Sequence, residues 1–189
     1  MQKFSTVRFG ELTYRQEDVI HLPDGLTGLP DLCDWLILEM GQNVPMMWFQ
    51  SLDRADFGFP VCNPDLFVDD YGWELTPSQT LKVSGDTQGR LVPLVIATIH
   101  EGGERITGNL LAPLVIDSNS RRGVQAPQPI EQYGLQQEIN YLKFGLAVSR
   151  VPGENMDQNG QAKEVVDSCP ETVEAQVVPK PKTPETVGA

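Results

Sequence analysis

The chain has few residues of the kinds that build metal centres and disulfide frameworks. Its 189 residues include three cysteines, Cys33, Cys62 and Cys169, and two histidines, His21 and His100. An odd number of widely spaced cysteines forms neither a disulfide framework nor a C-x-x-C metal motif. Two distant histidines do not supply the ligands of a zinc site. We therefore expect no metal and no cofactor, and we expect Cys33 and Cys62 to be free, buried thiols.

Long apolar runs are also missing from the sequence. No window approaches the roughly 18 consecutive apolar residues of a membrane-spanning helix. The N-terminus, Met1-Gln2-Lys3-Phe4-Ser5, lacks the basic and apolar regions of a signal peptide. The sequence therefore predicts a cytoplasmic protein with no membrane partner.

Basic residues are scarce relative to acidic ones. Fourteen Lys and Arg stand against 26 Asp and Glu, which gives a formal net charge of −12 at pH 7. Direct binding to nucleic acid is disfavoured, because it depends on clustered Lys and Arg that contact phosphates. The same excess of carboxylates attracts a basic protein and repels phosphate groups. Salt screens exposed charges beyond roughly 8 Å, so these effects act at contact range.

Residues 1–148 have the pattern of a mainly β protein. Short apolar or alternating segments recur at roughly 8 to 12 residue intervals, and Gly or Pro stands at most of the breaks. Leu91–Ile99 is a near-continuous apolar strand. Thr76 followed by Pro77 predicts the start of one short helix that ends at Val83. Strands do not alternate with long helices, which favours a compact β-barrel-like single domain with one or two short helices.

Residues 109–125 are the most informative segment of the chain. Pro113 cannot donate to a β-ladder, so we expect it at the start or edge of a buried strand that continues to Asp117. Asn109 is expected in the preceding turn. Arg121 and Arg122 follow the strand, where a basic pair either marks an anion site or, more commonly, forms a solvated tip.

The composition changes after the predicted domain. From Val151 to Ala189 the chain has no Trp, Tyr or Phe, and five prolines interrupt a stretch rich in Glu, Gln, Lys, Thr and Val. Such a segment buries too little apolar surface to offset about 1–2 kcal/mol of backbone ordering per residue. We therefore predict a disordered acidic tail over residues 149–189.

Catalytic groups are not clustered in the sequence. Ser118 has no adjacent His, and His21 and His100 lie beside predicted strands, where a structural hydrogen bond is the commoner role. The densest carboxylate group, Asp65, Asp69 and Asp70, is interrupted by apolar residues and does not match a calcium loop. The sequence therefore predicts a protein that is not an enzyme.

A protein-binding surface is the remaining candidate site. Phe67, Tyr71 and Trp73 alternate with acidic residues, a composition typical of aromatic anchors inside a polar rim. The alternative is that two of these three aromatic residues belong to the core. The predicted partner-binding set consists of Asn63, Phe67, Asp69, Asp70, Tyr71, Asn109 and Arg122.

Five segments, in this order, resemble the flagellar assembly factor FliW family. They are residues 19–29 (VIHLPDGLTGL), 47–52 (MWFQSL), 63–67 (NPDLF), 94–99 (LVIATI) and 109–117 (NLLAPLVID), the last closed by 121–125 (RRGVQ). The chain departs from the family pattern at four positions. Thr27 and Leu29 stand where Pro and Phe are expected, Leu111 where Lys is expected, and Asp65 where an apolar residue is usual.

The resemblance implies a β-barrel-like protein, monomeric when free, that binds the terminal helical region of flagellin and also the homodimeric RNA-binding repressor CsrA. In that family flagellin and CsrA compete, so secretion of flagellin frees the family member to antagonise CsrA from a surface away from its RNA groove. Two alternatives come from other classes of protein. One is a barrel that encloses a small apolar ligand, and the other is a hydrolase that uses His21 or His100 with a nearby acid.

Overall fold

The computed structural model describes residues 1–41, 44–84, 89–100, 105–129, 133–141 and 176–179. The strands of this part of the chain are β1 (Gln2–Thr6), β2 (Gly10–Tyr14), β3 (Ile20–His21), β4 (Asp34–Glu39), β5 (Met46–Ser51), β6 (Gly58–Cys62), β7 (Leu91–Ile99), β8 (Ile106–Gly108), β9 (Leu114–Asp117), β10 (Gly123–Gln125), β11 (Gln137–Glu138) and β12 (Gln176–Val177). The helices are α1 (Pro77–Val83) and two 3-10 turns, Gln16–Asp18 and Pro64–Leu66.

Ten strands form one curled, antiparallel sheet. Its main path runs β10-β9-β7-β6-β5-β4-β12, and β3 pairs with β4 while β8 pairs with β7 and β11. A single bridge between His21 and Arg122, with a 2.8 Å hydrogen bond from His21 N to Arg121 O, links β3 to the start of β10. The sheet thus curls back towards its first edge, which confirms the predicted mainly β, barrel-like class.

Aromatic and aliphatic side chains fill the inside of the curled sheet. Trp35 is fully buried and stacks on Phe49, with ring centroids 4.6 Å apart and planes 4° from parallel. Its Nε1 donates to Leu32 O at 3.0 Å. The surrounding apolar residues are Ile20, Leu22, Ile37, Val61, Leu94, Leu114 and Ile116. These side chains pack against one another as a single apolar cluster inside the sheet.

The hairpin of β1 and β2 is a separate two-stranded sheet that covers the other face of β4. Leu12 packs with Leu36 and Leu38, and the ring of Phe9 meets that of Trp48 edge-on at 5.7 Å. Both faces of β4 are therefore covered. This explains why β4 is a continuous apolar run and not an alternating pattern.

Helix α1 begins at the predicted residue because its first turn is capped. Thr76 Oγ1 accepts from Gln79 N at 3.3 Å, and Gln79 Oε1 accepts in return from Thr76 N at 2.8 Å. At the end of the helix Val83 is buried against β9 and β10. The predicted strand at Leu91–Ile99 is likewise confirmed as β7.

The prediction for the C-terminal tail needs one correction. Residues 176–179 lie inside the segment 149–189, for which the sequence predicts disorder, but β12 pairs antiparallel with β4. β5 occupies one edge of β4. On the other edge β3 pairs only with Asp34 and Trp35, so the remaining residues of that edge can accept β12. The prediction is wrong for these four residues. The other residues of the tail lie outside the described ranges.

Candidate protein-docking surface

A 3-10 turn directly after β6 presents the predicted acidic residues. We refer to residues 63–71 as the acidic turn. Asn63 Oδ1 accepts from Asp65 N at 2.9 Å and caps the turn, and Pro64 follows at its first position. Leu66 is buried, whereas Asp65, Asp69 and Asp70 are exposed. Burial of Pro64, Leu66 and Phe67 therefore leaves the carboxylates of the acidic turn at the surface.

Phe67 is part of the core and is not an exposed anchor. Its side chain is 5% exposed and packs with Cys62, Val95, Ile106 and Leu110. The ring lies directly over Gly108, where an added Cβ would be 2.6 Å from Phe67 Cζ. The sequence interpretation of Phe67 as a partner-contacting side chain is thus corrected. Its role is to fix the acidic turn to β8.

Tyr71 is half-buried and holds the other end of the acidic turn. Its hydroxyl donates to Leu110 O at 2.5 Å, and its ring lies 4.7 Å from that of Tyr133, centroid to centroid. Tyr133 in turn accepts from Gly72 N at 2.8 Å through its hydroxyl oxygen. Burial, and then the neighbouring Tyr133, raise the pKa of Tyr71 far above its usual value. Tyr71 therefore remains a neutral hydrogen-bond donor.

Trp73 also packs largely against the protein. It is partly buried beside Leu75, Leu91 and the α1 cluster. Glu74 is exposed, and its backbone N–H donates to Gln128 Oε1 at 2.9 Å. Of the three aromatic residues, Phe67 thus belongs to the core, whereas Tyr71 and Trp73 are only partly buried. The surface offered here is mainly carboxylate.

Asn109 lies beside the acidic turn, but Arg122 does not. Asn109 Oδ1 accepts from Ala112 N at 3.1 Å, so this side chain shapes the turn before Pro113, as predicted. Its neighbours Gly108 and Leu110 contact Phe67 and Tyr71. Arg122 follows the far end of β9 and donates from Nε to Lys82 O at 2.8 Å. The structure thus brings together six of the seven predicted residues.

Arg121 is buried, contrary to the solvated tip expected from the sequence. It is 8% exposed, adopts a positive φ of 55°, and donates from Nη2 to Asp18 O at 2.8 Å. Burial lowers the pKa of Arg121, and the nearby Asp18 acts in the opposite direction. The side chain therefore serves the inside of the fold, where the turn meets the 3-10 helix at Gln16–Asp18.

The sequence interpretation missed residues that extend this surface. Asn140 N donates to Leu66 O at 2.8 Å, which places the segment around residue 140 against the acidic turn. Next to it Tyr141 is 48% exposed, and its hydroxyl accepts from Ile106 N at 3.2 Å. Ile99, which pairs with Ile106, is 50% exposed. Only the tertiary pairing of β8 with β7 and β11 brings these positions together. The candidate docking surface therefore combines the acidic turn with an exposed aromatic and an exposed aliphatic side chain.

The histidines do not form a recognisable catalytic group with their described neighbours. His21 Nδ1 lies 2.7 Å from Asp34 Oδ1, with both side chains nearly half exposed. Cys33 directly precedes Asp34 in the chain, but its Sγ donates to Pro30 O at 3.6 Å. Burial, followed by Asp53, Asp34 and Asp31, raises the pKa of Cys33, which disfavours the thiolate that a nucleophile needs. His100 Nε2 contacts Thr107 Oγ1 at 3.0 Å.

The described residues contain no group of three or more His, Cys, Asp or Glu side chains that could hold a metal ion. Within the same ranges, no helix has the length and apolar character needed to cross a bilayer.

Cys62 gives a direct test of core packing beside the acidic turn. It is fully buried, as predicted, whereas Cys33 is only partly buried. Burial raises the pKa of Cys62 to about 12. Because alkylation requires the thiolate, we expect iodoacetamide at pH 8 to modify Cys62 more than about 100-fold more slowly in the native than in the denatured chain. Peptide mass spectrometry measures the two rates. Equal rates would show that this part of the core opens freely.

Comparisons with known proteins agree with the fold. The family model described as FliW protein matches residues 3–139. The flagellar assembly factor FliW of Alkaliphilus metalliredigens is 33% identical over 129 residues, covering 68% of this chain and 80% of that protein. The protein of the same name from Caldanaerobacter subterraneus is 32% identical over 138 residues, covering 72% of this chain and 92% of that protein.

A solved structure gives the same result at the level of the fold. The crystal structure of the flagellar assembly factor FliW superimposes with a TM-score of 0.62 at 21% identity, covering 72% of this chain and 94% of that chain. Together with the match to residues 3–139, these similarities show that the chain belongs to the FliW family.

Proposed function

We propose that the protein is a non-enzymatic flagellar assembly factor that binds flagellin and a CsrA-type translational regulator. Binding to the regulator would antagonise its hold on RNA from outside the RNA groove, and so control flagellin translation in the cytoplasm. The observation that carries the proposal is the acidic turn, which Phe67 and Tyr71 anchor to the core at the surface of a FliW-family fold.

The geometry of the acidic turn favours a protein partner. Phe67 and Tyr71 attach the turn to β8 and to Leu110, so Asp65, Asp69 and Asp70 are presented by backbone that is already ordered. A preorganised surface loses less conformational entropy on binding than a mobile loop does. An RNA-binding protein carries basic residues that these carboxylates would attract. Once docked on that protein, the carboxylates of the acidic turn would repel nearby RNA phosphates.

Titration into a preformed complex of CsrA and labelled RNA tests the proposal. RNA release, followed by fluorescence anisotropy, is expected as the protein approaches saturation. Asp69→Asn/Asp70→Asn should weaken binding to CsrA about fivefold, since exposed charge pairs contribute about 0.5 kcal/mol each. Asn suits the positive φ of 51° at Asp70, so the turn should keep its shape. RNA that stays bound at saturating protein would reject the antagonist role.

A charge-matched variant separates a local effect from a change in overall charge. Glu11→Gln/Asp31→Asn also removes two exposed carboxylates, but on β2 and before β4. It should leave CsrA affinity within twofold of the unmodified protein. An equal loss of CsrA affinity in both variants would show that CsrA does not contact the acidic turn.

The association rate of the unmodified protein with CsrA should fall as the salt concentration rises.

A further inference from the structure

One edge of β4 carries a groove that holds a single extended segment. β5 pairs with Trp35–Glu39 along the opposite edge, whereas on this edge the pairing with β3 covers only Asp34 and Trp35. Beyond that point β12 pairs Val177 with Leu38, and Val178 N donates to Ile37 O at 2.9 Å. The groove therefore lies along an edge of the sheet that can accept a further strand.

The two valines of the docked segment enter two different apolar layers. Val177 packs with Leu12, Leu36 and Leu38, between β4 and the hairpin. Val178 packs with the cluster inside the curled sheet. Successive residues of a strand point to opposite faces, so the groove selects two adjacent apolar residues in extended conformation. β-Branched residues suit that conformation best.

Arg121 provides a polar contact at the end of the groove. Its Nη2 donates to Asp18 O and also reaches Val178 O at 3.5 Å, while its buried Nε has no partner among the described groups. A buried guanidinium requires hydrogen-bond acceptors. The carbonyl of a docked strand is such an acceptor, so the groove recognises the backbone of the strand as well as its side chains.

The occupant comes from outside the part of the chain that the family shares. The FliW model matches residues 3–139, which include β4, the hairpin and Arg121, whereas β12 begins at Gln176. An exposed sheet edge is also a template for unwanted pairing with other chains. The groove thus lies within the part of the chain that matches the family, and its occupant lies outside that part.

We propose that the β4 edge is a peptide-binding site for an extended segment with two adjacent β-branched residues. Its occupant is the chain's own C-terminal segment, residues 176–179, bound in cis. A strand from another molecule that pairs with this edge has to displace the tail. A tether raises the effective concentration of the tail to the millimolar range, so the docked tail masks the site from a free peptide.

A labelled peptide of residues 173–182 (VEAQVVPKPK) tests this with the full-length chain. Val178→Pro removes the N–H that donates to Ile37 O, and Val177→Asp places a charge in the apolar layer below the hairpin. Each substitution should undock the tail. Both variants should bind the peptide at least tenfold more tightly than the unmodified chain, as measured by fluorescence anisotropy.

Val187→Asp makes the same chemical change elsewhere in the tail and should bind the peptide as weakly as the unmodified chain. Failure of both undocked variants to gain affinity would overturn the proposal. A chain that is dimeric when unmodified and monomeric as Val178→Pro would also overturn it, since the strand would then come from a second copy. Neither result depends on CsrA or flagellin, so the proposed function is tested separately.

Discussion

Replacing Trp35 with alanine is expected to lower the free energy of unfolding by about 3–5 kcal/mol, the usual range for a fully buried Trp. The indole stacks on Phe49 at 4.6 Å and contacts Phe57 and Phe59, so its removal leaves a cavity at the centre of the curled sheet. The hydrogen bond from Nε1 to Leu32 O is lost as well. Urea denaturation followed by circular dichroism measures the change.

Trp48→Ala is the matched control for Trp35. Trp48 is only partly buried, and the Arg8 guanidinium carbon lies 4.4 Å from the centroid of its ring, on the outer side of β5. Truncation there removes contacts with Phe9 but opens no enclosed cavity. We therefore expect a clearly smaller loss. Equal losses for the two variants would show that the stack on Phe49 is not the centre of the core.

Replacing Gly108 with alanine is expected to destabilise the protein by about 1–3 kcal/mol, as overpacking in a core does. The three nearest neighbours of the added Cβ are all ring atoms of Phe67, at 2.6 to 2.9 Å. The ring has to move, and the acidic turn moves with it. The same variant should therefore bind CsrA more weakly. Thermal unfolding and the anisotropy assay measure the two effects.

Two further variants show whether the contact with Phe67 is the cause. Gly72→Ala adds the same methyl group close to the same surface, but its nearest neighbour would be Tyr133 Oη at an ordinary 3.6 Å. It should change stability by less than about 0.5 kcal/mol. Phe67→Leu combined with Gly108→Ala should lose less than the sum of the single losses, because the smaller side chain relieves the clash. If the stability losses of the two single variants were strictly additive, a clash with Phe67 would not explain the loss caused by Gly108→Ala.

Elements that depend on local signals could be predicted from the sequence. The capping residues at Thr76 and Gln79 determine where α1 begins, and the apolar run at Leu91–Ile99 is long enough to stand out. Pro113 marks the start of β9 because it cannot donate to a ladder. These signals lie within a few residues of the structure they produce, so no tertiary information is needed.

Features that depend on distant partners could not be predicted in this way. Phe67 is buried because Gly108 leaves room for its ring, and no residue near Phe67 in the sequence indicates that contact. Arg121 is buried because Asp18, more than a hundred residues away, offers a carbonyl. Residues 176–179 are too few to predict as a strand until the free edge of β4 is known. The acidic character of the candidate site, by contrast, is visible directly in the composition.

The cleft between the hairpin and β12 has a practical consequence. It has a volume of about 490 Å³, and its lining includes Met1, Leu12, Val177 and Pro179. The first residue of the chain and the docked tail strand are thus neighbours across one opening. A donor dye on the α-amino group and an acceptor dye near residue 179 would report tail release by energy transfer. A purification tag on Met1 would crowd the same opening, so tag position is an experimental variable for this molecule.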